Sequence, residues 1–433
     1  AHALVFAAFY RGLLMRGRRP HPLLVVVLYA GCEVLPIRMF AWTSGHGAVD
    51  VPPLVQSAEW GGVLGVSFAL LCLVVPIREW IYWAGPQRAG RPRPGAAFLT
   101  FLIGLALYGW GLQRYADVRE EEERAGREIR VAIVQANVGT HAKRDATTNR
   151  GTSKIDGIAA YRRGSEEAAR RGAELVVWPE SAITDPIDLT NSRGNGVNTP
   201  MARLGYGFLN DLGQDRAVLV GLYEAAPPEI SRQTGQAKDR RYNVAALRAP
   251  GGIDAEWTAY RKVFLIPFGE ATPGGYWDDH LPQKFKMLPG RMPQPMLSLP
   301  DFTAAGRAAE TPPPPITFAP FICYEGILAG HVRDVVGDAR PDVLVSLTND
   351  SWFGDTWEPH QHLNFTRFRA VEHRAPMVRA TNTGVSAFVS ATGDVEATIP
   401  VGAEATLVRQ VPLVDRGPTV YARFGHHLPL VFW

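Results

Sequence analysis

The sequence predicts a multi-pass α-helical membrane segment followed by an α/β domain. Hydrophobic residues are concentrated in the first 115 of the 433 positions, where three apolar runs occupy residues 23–40, 54–77 and 96–112. Each run is long enough, or nearly so, to cross about 30 Å of hydrocarbon as a helix. From residue 129 onward, short β-rich runs alternate with helical patterns, which is typical of an α/β fold. An alternative for the first third is a set of buried core helices in a soluble protein.

The distribution of arginine predicts how the apolar runs are oriented. Arginines lie before the first run and between the second and third runs, at Arg11, Arg16, Arg18, Arg19, Arg78, Arg88, Arg91 and Arg93. Residues 41–53, between the first two runs, contain no Lys or Arg. Because positive loops stay in the cytoplasm, three crossings would leave everything after Tyr115 on the outer face of the membrane. We therefore predict a periplasmic C-terminal domain.

Composition divides the chain into four predicted parts. These are transmembrane helices in 1–115, a charged helical connector in 116–129, a catalytic domain in 130–415 and a C-terminal segment in 416–433. The chain starts at Ala1 with an apolar stretch and ends within another, so we expect further spans beyond both ends. Polar or Pro/Gly-rich loops are predicted at 192–199, 227–237 and 274–315.

Charge and cysteine content exclude two classes of protein. The net charge of +3 is too small to indicate a nucleic-acid partner. We also expect the protein to be a monomer. The three cysteines exclude a disulfide scaffold, because Cys32 and Cys72 lie in apolar runs and only Cys323 lies outside them. A lone thiol on an oxidising face is a candidate for reactivity.

Three residues outside the apolar segment form a candidate catalytic set. Glu180, Lys262 and Cys323 each close or directly follow a β-rich run, at 175–179, 257–261 and 316–322. We therefore expect a carboxylate, an ammonium and a thiol to converge at one edge of a sheet, as amide and acyl-transfer chemistry requires. Each also has a structural interpretation: a buried cysteine, a capping glutamate and a surface cation.

The segments that carry these residues resemble the nitrilase superfamily in order and context. They are Val131-Ala-Ile-Val-Gln-Ala-Asn137, Val176-Val-Trp-Pro-Glu-Ser181, Tyr260-Arg-Lys-Val-Phe-Leu-Ile-Pro-Phe-Gly-Glu270, Phe321-Ile-Cys-Tyr-Glu325 and Leu347-Thr-Asn-Asp-Ser-Trp-Phe-Gly354. Within that superfamily, the preceding apolar runs and the motifs at 267–270 and 359–362 resemble the apolipoprotein N-acyltransferase family.

The resemblance implies an α-β-β-α sandwich with a catalytic triad of Glu180, Lys262 and Cys323. It implies a phospholipid as acyl donor, a thioester on Cys323, and the N-terminal amine of a diacylglyceryl-modified lipoprotein as acceptor. It also implies a place in the bacterial inner membrane and no cofactor. Glu270 would be an additional active-site carboxylate, and Glu325 would support the nucleophile loop.

Acyl transfer through a cysteine requires a carboxylate, an ammonium and a thiol, the same residue types as in this triad. A thiol near pKa 8.5 needs a base or a nearby cation, and Glu180 and Lys262 can supply these. The tetrahedral oxyanion needs donors, for which Lys262 and the backbone N–H of Tyr324 are candidates.

Other candidate residues have weaker signals. Asn349 and Trp352 follow another β-rich run and could shape an acyl pocket or simply fill a turn, and Trp277 could contribute to a lid. His360 and His362 do not share a helix face, so we predict a helix start there and no metal site.

Two other functions are compatible with the same residues. In a membrane-tethered carbon-nitrogen hydrolase, water rather than an amine would discharge the Cys323 intermediate. In a membrane binding protein, the site would have lost its activity. A fatty-acyl adduct on Cys323, or its absence, would separate these alternatives.

Overall fold

The computed structural model describes residues 2–16, 20–34, 42–84, 94–138, 152–189, 200–230, 237–251, 255–267, 269–271, 286–294, 296–337 and 340–427. Within these residues, a group of N-terminal helices precedes a sandwich of two β-sheets covered by helices. The order of elements is the one that the sequence predicts.

The N-terminal group contains two helices that are long and apolar enough to cross a membrane. The group consists of α1 (His2–Met15), α2 (Pro22–Cys32), α3 (Pro52–Val55), α4 (Ala58–Ala84) and α5 (Pro94–Glu123). The apolar windows of α4 and α5 are only 39% and 22% buried, whereas the core helix of a soluble protein is mostly buried. These two helices therefore fit a membrane segment better than a soluble core.

The limits of the apolar helices differ from the predicted ones in three places. The first run is described only as far as residue 34, where α2 has 11 residues and is shorter than a span. The second run is interrupted at 56–57, between α3 and α4. The predicted helical connector is continuous with the third run, because α5 extends without a break to Glu123. The sequence from 112 to 123 contains no Gly or Pro that would end the helix.

The C-terminal two thirds contain two β-sheets. The first sheet has the order β13-β1-β2-β3-β4-β5, with β6 beside β4. Its strands are β1 (Glu128–Gln135), β2 (Leu175–Ile187), β3 (Ala217–Ile230), β4 (Ala237–Arg248), β5 (Trp257–Arg261), β6 (Lys286–Leu288) and β13 (Ala405–Pro412). The second sheet has the order β12-β11-β10-β9-β8-β7. Its strands are β7 (Leu297–Leu299), β8 (Ile316–Ile322), β9 (Val343–Thr348), β10 (Met377–Thr381), β11 (Ser386–Val389) and β12 (Val395–Ile399).

Helices cover the outer faces of both sheets. The helices α6 (Thr152–Arg170) and α7 (Pro200–Leu212) pack on the first sheet, and α9 (Ala329–Val336) and α10 (Glu358–His373) pack on the second. Residues from both sheets, such as Val177 and Val345, share one buried core, while Trp178 belongs to a second core beneath α6 and α7. Apolar side chains on both faces of the central strands require this layering. The predicted α-β-β-α sandwich is confirmed.

Two predicted loops contain regular structure. The strands β3 and β4 continue their pairing as far as Ile230 and Ala237, so the predicted loop at 227–237 is shorter than expected. The predicted loop at 274–315 contains β6, β7 and the short helix α8 (Ala304–Ala308). In β7, Leu297 and Leu299 face the core and pair with β8, which explains why this Pro-rich region is ordered there.

The N-terminal helices are attached to the sandwich by ion pairs and apolar contacts. Near the start of α4, Glu59 accepts hydrogen bonds from Arg374 at 2.7 Å and from Arg114 of α5 at 2.8 Å. Near the end of α5, Glu121 accepts a hydrogen bond from Arg416 at 2.6 Å. Phe368 and other apolar residues of α10 pack against α4. Both helix ends therefore meet the sandwich on the same side.

A glycine in α4 allows the closest of these contacts. Gly62 has φ 59° and ψ −157°, a conformation that interrupts the helix and that side chains rarely adopt. A Cβ at this position would lie 2.6 Å from a ring carbon of Tyr421 and 3.2 Å from the Glu372 carboxylate. Tyr421 belongs to the short helix α11 (Val420–Phe424). The contact between α4 and the sandwich therefore depends on the missing side chain.

Substituting alanine for this glycine should destabilise the protein. The strained backbone alone costs about 1–3 kcal/mol in Gly62→Ala, and the contact with Tyr421 adds to it. The neighbouring Gly61→Ala is the matched control, because a Cβ there meets nothing within 4 Å. Melting curves in detergent should show a lower Tm for Gly62→Ala only; equal Tm values for the two variants would contradict this account of the break.

Candidate active site

The three residues of the predicted catalytic set lie at one end of the sandwich. Glu180 lies in β2 where the pairing with β3 shifts, Lys262 directly follows β5, and Cys323 directly follows β8. The strands β2 and β5 run in the same direction, because β2 is parallel to β3 and β4 is antiparallel to both β3 and β5. The expectation of a single sheet edge is wrong, since β8 belongs to the second sheet. The three residues meet across the two sheets instead.

Lys262 lies between two carboxylates. Its Nζ is 3.2 Å from Oε1 of Glu180 and 2.8 Å from Oε2 of Glu270, and its side chain is fully buried. Asn243 of β4 donates hydrogen bonds to both carboxylates, at 2.7 Å to Glu180 and 3.2 Å to Glu270. The backbone N–H of Ile266 donates to Oε2 of Glu270 at 2.9 Å. This network fixes the ammonium and both carboxylates relative to one another.

The electrostatics keep the lysine charged. Burial alone would lower the pKa of Lys262, but Glu180 and Glu270 raise it well above its ordinary value. Burial raises the pKa of Glu180; the Lys262 charge opposes this and Glu270 adds to it, and the pKa stays above its ordinary value. Lys262 is therefore a permanent cation, and Glu180 is a stronger base than an exposed carboxylate.

Cys323 is held in a strained conformation that presents its side chain to this network. Its φ is +53°, in the left-handed region that costs a non-glycine residue about 1–3 kcal/mol. Burial raises the pKa of the thiol, Glu180 raises it further, Lys262 and the side chain of Thr348 lower it, and the net pKa is well above its ordinary value. The resting group is thus a thiol, and the attack on a carbonyl requires a base that removes its proton.

Glu325 fastens the loop after Cys323 to the segment after Lys262. Its Oε1 accepts hydrogen bonds from the backbone N–H groups of Val263 at 2.6 Å and Phe264 at 3.1 Å, and its Oε2 accepts from Ile322 at 2.8 Å. The hydroxyl of Tyr260 also donates to Glu325, at 2.9 Å. The carboxylate is fully buried, so all of its hydrogen bonds go to protein groups and fix the two loops relative to each other.

The remaining predicted residues lie at different distances from this network. Tyr324 follows Cys323 directly and is half-buried. Asn349 is half-buried after β9, where it accepts a hydrogen bond from Ser351 at 2.7 Å. Trp352 is 72% exposed on the following turn, so it does not line a buried pocket in this structure. Trp277 lies outside the described residues.

Sequence reasoning missed four residues of the site. Asn243 lies in the middle of a strand, and nothing in the sequence around it indicates that it binds two catalytic carboxylates. Thr348, Asp350 and His362 adjoin Cys323 on its other side. Two of them could have been found, because Thr348 and Asp350 mark the end of β9, which lies beside β8.

Comparison with known proteins matches both parts of the chain. Residues 130–421 match the model of the carbon-nitrogen hydrolase family, and residues 1–76 match that of the apolipoprotein N-acyltransferase N-terminal domain. Apolipoprotein N-acyltransferases of Geobacter metallireducens and Bdellovibrio bacteriovorus are each 30% identical over 93% of this chain. The chain covers 70% and 69% of their lengths. That of Rhodopseudomonas palustris is 32% identical over 89% of this chain and 66% of its own length.

A crystal structure of an amidase from Nesterenkonia is also similar to the sandwich. It is 17% identical, with a TM-score of 0.42, over 68% of this chain and 95% of the amidase.

Exchanging each carboxylate for its amide should separate their roles. In Glu180→Gln, the side chain keeps its shape but cannot accept the thiol proton, so acylation of Cys323 should slow by about 10²–10⁴. In Glu270→Gln, Glu180 still pairs with Lys262 and still accepts the proton, so the loss should be much smaller.

The measurement is the intact mass of each variant after incubation with phospholipid vesicles, with Cys323→Ala as the unacylated baseline. Abundant acyl-enzyme in Glu180→Gln together with none in Glu270→Gln would reverse the assignment.

Proposed function

The chain belongs to the apolipoprotein N-acyltransferase family, and we propose that it transfers a fatty acyl chain from a phospholipid to the N-terminal amine of a diacylglyceryl-modified lipoprotein through a thioester on Cys323. N-acylation of lipoproteins is the reaction of this family. The observation that supports the residue assignment is the buried Glu180–Lys262–Glu270 network beside the strained, thiol-bearing turn at Cys323. A base, a cation and a nucleophile in one water-poor site meet the needs of acyl transfer.

In the first half-reaction, the Cys323 sulfur attacks the ester carbonyl of the phospholipid while Glu180 takes the thiol proton. The C=O double bond becomes an oxyanion, for which the Lys262 ammonium and the backbone N–H of Tyr324 are the donors. When the oxyanion collapses, the C–O ester bond breaks and Glu180 returns the proton to the leaving alcohol. The products are a thioester on Cys323 and a lysophospholipid.

In the second half-reaction, the α-amine of the lipoprotein attacks the thioester carbonyl. The amine must be neutral to attack, and an α-amino pKa of about 7.7–8.0 leaves an appreciable neutral fraction at mildly alkaline pH. Glu180 takes a proton from the nitrogen, the C–S bond breaks, and the proton passes to the sulfur. An amide forms, and the Cys323 thiol is regenerated.

The supporting residues receive narrower roles. Glu270 also binds the Lys262 ammonium, so it keeps the ammonium in place when Glu180 is protonated. Glu325 holds the nucleophile turn against the segment after Lys262. Both act on geometry, which in active sites sets rate as strongly as chemistry does.

Exposed aromatic side chains follow two of the strands that carry the site. They are Phe264 (46% exposed), Trp352 (72%), Phe353 (41%) and Trp357 (80%). Such a concentration of exposed apolar rings marks a surface that meets lipid or protein. We assign it to contact with the lipid substrates, and we propose Asn349 and Trp277 as further contacts. We expect the enzyme to act as a monomer without nucleic acid.

The position of the two long helices supports a periplasmic catalytic domain. The sandwich contacts the start of α4 through Arg374 and Glu59, and it contacts the end of α5 through Arg416 and Glu121. The end of α4 at Ala84 and the start of α5 at Pro94 are the far ends of these helices, about 36 Å away along a helix of 24 residues. The sequence between these two ends, residues 85–93, carries three arginines, so the positive-inside rule favours a cytoplasmic side there, an inner-membrane protein and a periplasmic sandwich.

The acceptor distinguishes an acyltransferase from a hydrolase with the same residues. Diacylated lipopeptide, added to enzyme loaded from phospholipid, should discharge the Cys323 thioester far faster than buffer does. Acetylation of the lipopeptide α-amine should abolish this effect, because the nitrogen is no longer a nucleophile. Mass spectrometry of quenched samples follows both enzyme and product. Release of fatty acid at one rate with and without lipopeptide would identify water as the acceptor.

Cysteine labelling tests the orientation. With the native cysteines replaced, a membrane-impermeant thiol reagent applied to intact spheroplasts should modify Glu256→Cys on the sandwich and spare Gly95→Cys at the start of α5. Both positions are exposed, so their intrinsic reactivity is comparable. Permeabilised cells, in which both variants should react, provide the control. Labelling of Gly95→Cys alone in intact spheroplasts would invert the topology.

A further inference from the structure

A buried histidine lies behind the nucleophile, outside the network of Glu180 and Lys262. His362 is in the second turn of α10, and both of its ring nitrogens face hydrogen-bond acceptors. Its Nδ1 is 2.9 Å from Oδ1 of Asp350, and its Nε2 is 3.3 Å from the backbone oxygen of Cys323. The mechanism above leaves this residue without a role.

Asp350 is built to accept from this histidine. It is 1% exposed and also receives hydrogen bonds from Arg379 at 3.0 Å and Thr348 at 3.1 Å. Burial would raise the pKa of Asp350, but His362 and Arg379 lower it to about 2, so the carboxylate is ionised. Since a carboxylate and a carbonyl can only accept, both ring nitrogens of His362 carry protons and donate. Glu358, whose Oε1 is 4.0 Å from Nδ1, adds a second acidic group nearby.

The hydrogen bond from His362 to the Cys323 carbonyl oxygen also affects the backbone N–H of Tyr324. The carbonyl oxygen of Cys323 and the N–H of Tyr324 lie on opposite edges of one planar trans peptide. A donor that fixes the carbonyl therefore also fixes the direction of the N–H, and it strengthens the N–H dipole by polarising the peptide. The left-handed φ of Cys323 makes such support necessary, because the strained turn would otherwise relax.

We propose that His362, held by Asp350, is a positioning residue that fixes the peptide between Cys323 and Tyr324 and thereby aims the Tyr324 N–H at the oxyanion. This inference rests on the proposed acyl-transfer mechanism. It concerns the formation of the thioester and its discharge alike, because an oxyanion forms in both.

Two further contacts fix the positions of Asp350 and His362. A Cβ on Gly384 would lie 2.3 Å from Oδ2 of Asp350, so the loop after β10 can close over the carboxylate only with glycine there. On α10, Thr366 donates a hydrogen bond to the backbone oxygen of His362. A side chain fixed this tightly cannot follow the turn at Cys323 if the turn moves, as a positioning residue requires.

A metal ion is the competing interpretation. The ligand atoms of Asp350, Glu358 and His362 lie within 4.8 Å of one another. A metal on Nδ1 would also leave Nε2–H to donate to Cys323, an arrangement that is common behind metal-bound histidines. The guanidinium of Arg379 on Asp350 opposes a second cation there, so we expect a proton and not a metal on Nδ1.

Two amide substitutions separate the bonds that His362 makes. In His362→Gln, the amide nitrogen reaches the place of Nε2 and can still donate to Cys323. In His362→Asn, the shorter amide reaches only the place of Nδ1, so it keeps the bond to Asp350 and loses the one to the peptide. His360→Asn, at the exposed histidine two residues earlier, is the control.

The probe is a p-nitrophenyl fatty-acyl ester, with the whole chain in detergent. Its release of p-nitrophenol reports acylation of Cys323 whatever the natural donor and acceptor are. Failure of the parent to use phospholipid and lipopeptide would thus overturn the proposed function without obscuring this test.

We expect His362→Asn to lower kcat for acylation by about 10²-fold at unchanged KM and unchanged Tm. His362→Gln should restore most of the rate, and His360→Asn should equal the parent. The inference is overturned if Asn and Gln lose activity equally, since His362 would then serve only the packing of α10. It is also overturned if EDTA inactivates the parent and Zn²⁺ restores it, since a metal would then occupy Nδ1.

Discussion

The buried charge of Lys262 is the constraint around which the candidate site is arranged. An ammonium with no exposure to water is stable only if its charge is matched and its protons are bonded, and Glu180 and Glu270 do both. Asn243 then becomes necessary, because two carboxylates that share one cation repel each other unless a donor joins them. The bonds around this one charge therefore join β2, β4 and the end of β5, which carry Glu180, Asn243 and Lys262. Gly221 of β3 is part of this arrangement, since a Cβ there would lie 2.6 Å from the Cα of Glu180.

The same charge shapes the reactivity that we propose for Cys323. A cation beside a thiol ordinarily yields a thiolate, but here the neighbouring carboxylate and burial outweigh it, and the group stays protonated at rest. A neutral thiol resists oxidation and stray acylation better than a thiolate does. In this proposal the nucleophile is generated only when Glu180 can take its proton, which would suit a residue on the oxidising periplasmic face that we propose for the domain.

The sequence predicted much of this and missed parts for identifiable physical reasons. Strand-end residues such as Lys262 and Cys323 are visible because an apolar run leads directly to them, and the sandwich is visible from the alternation of runs. Asn243 is not visible, since its partners come from two other segments and its own strand continues past it. The helix start predicted at His360 and His362 is confirmed, but helical spacing could not show that the partners of His362 lie on the turns after β9 and β8. The sequence did not show that the helical connector continues the preceding apolar helix, because a helix can pass from lipid to water without a break.

Because α5 is a single unbroken helix, it fixes the distance of the catalytic domain from the bilayer. Helix α5 runs from Pro94 to Glu123 as one rod, and Glu59 and Arg416 clamp it to the sandwich at two levels. A flexible tether would let the domain drift from the bilayer, but here a change in helix tilt must move the active site with it. In the mechanism that we propose, an ester or amine would consequently react only at the depth in the bilayer at which α5 holds Cys323. Selection among lipids then begins with how far a reactive group protrudes, before any side chain recognises it.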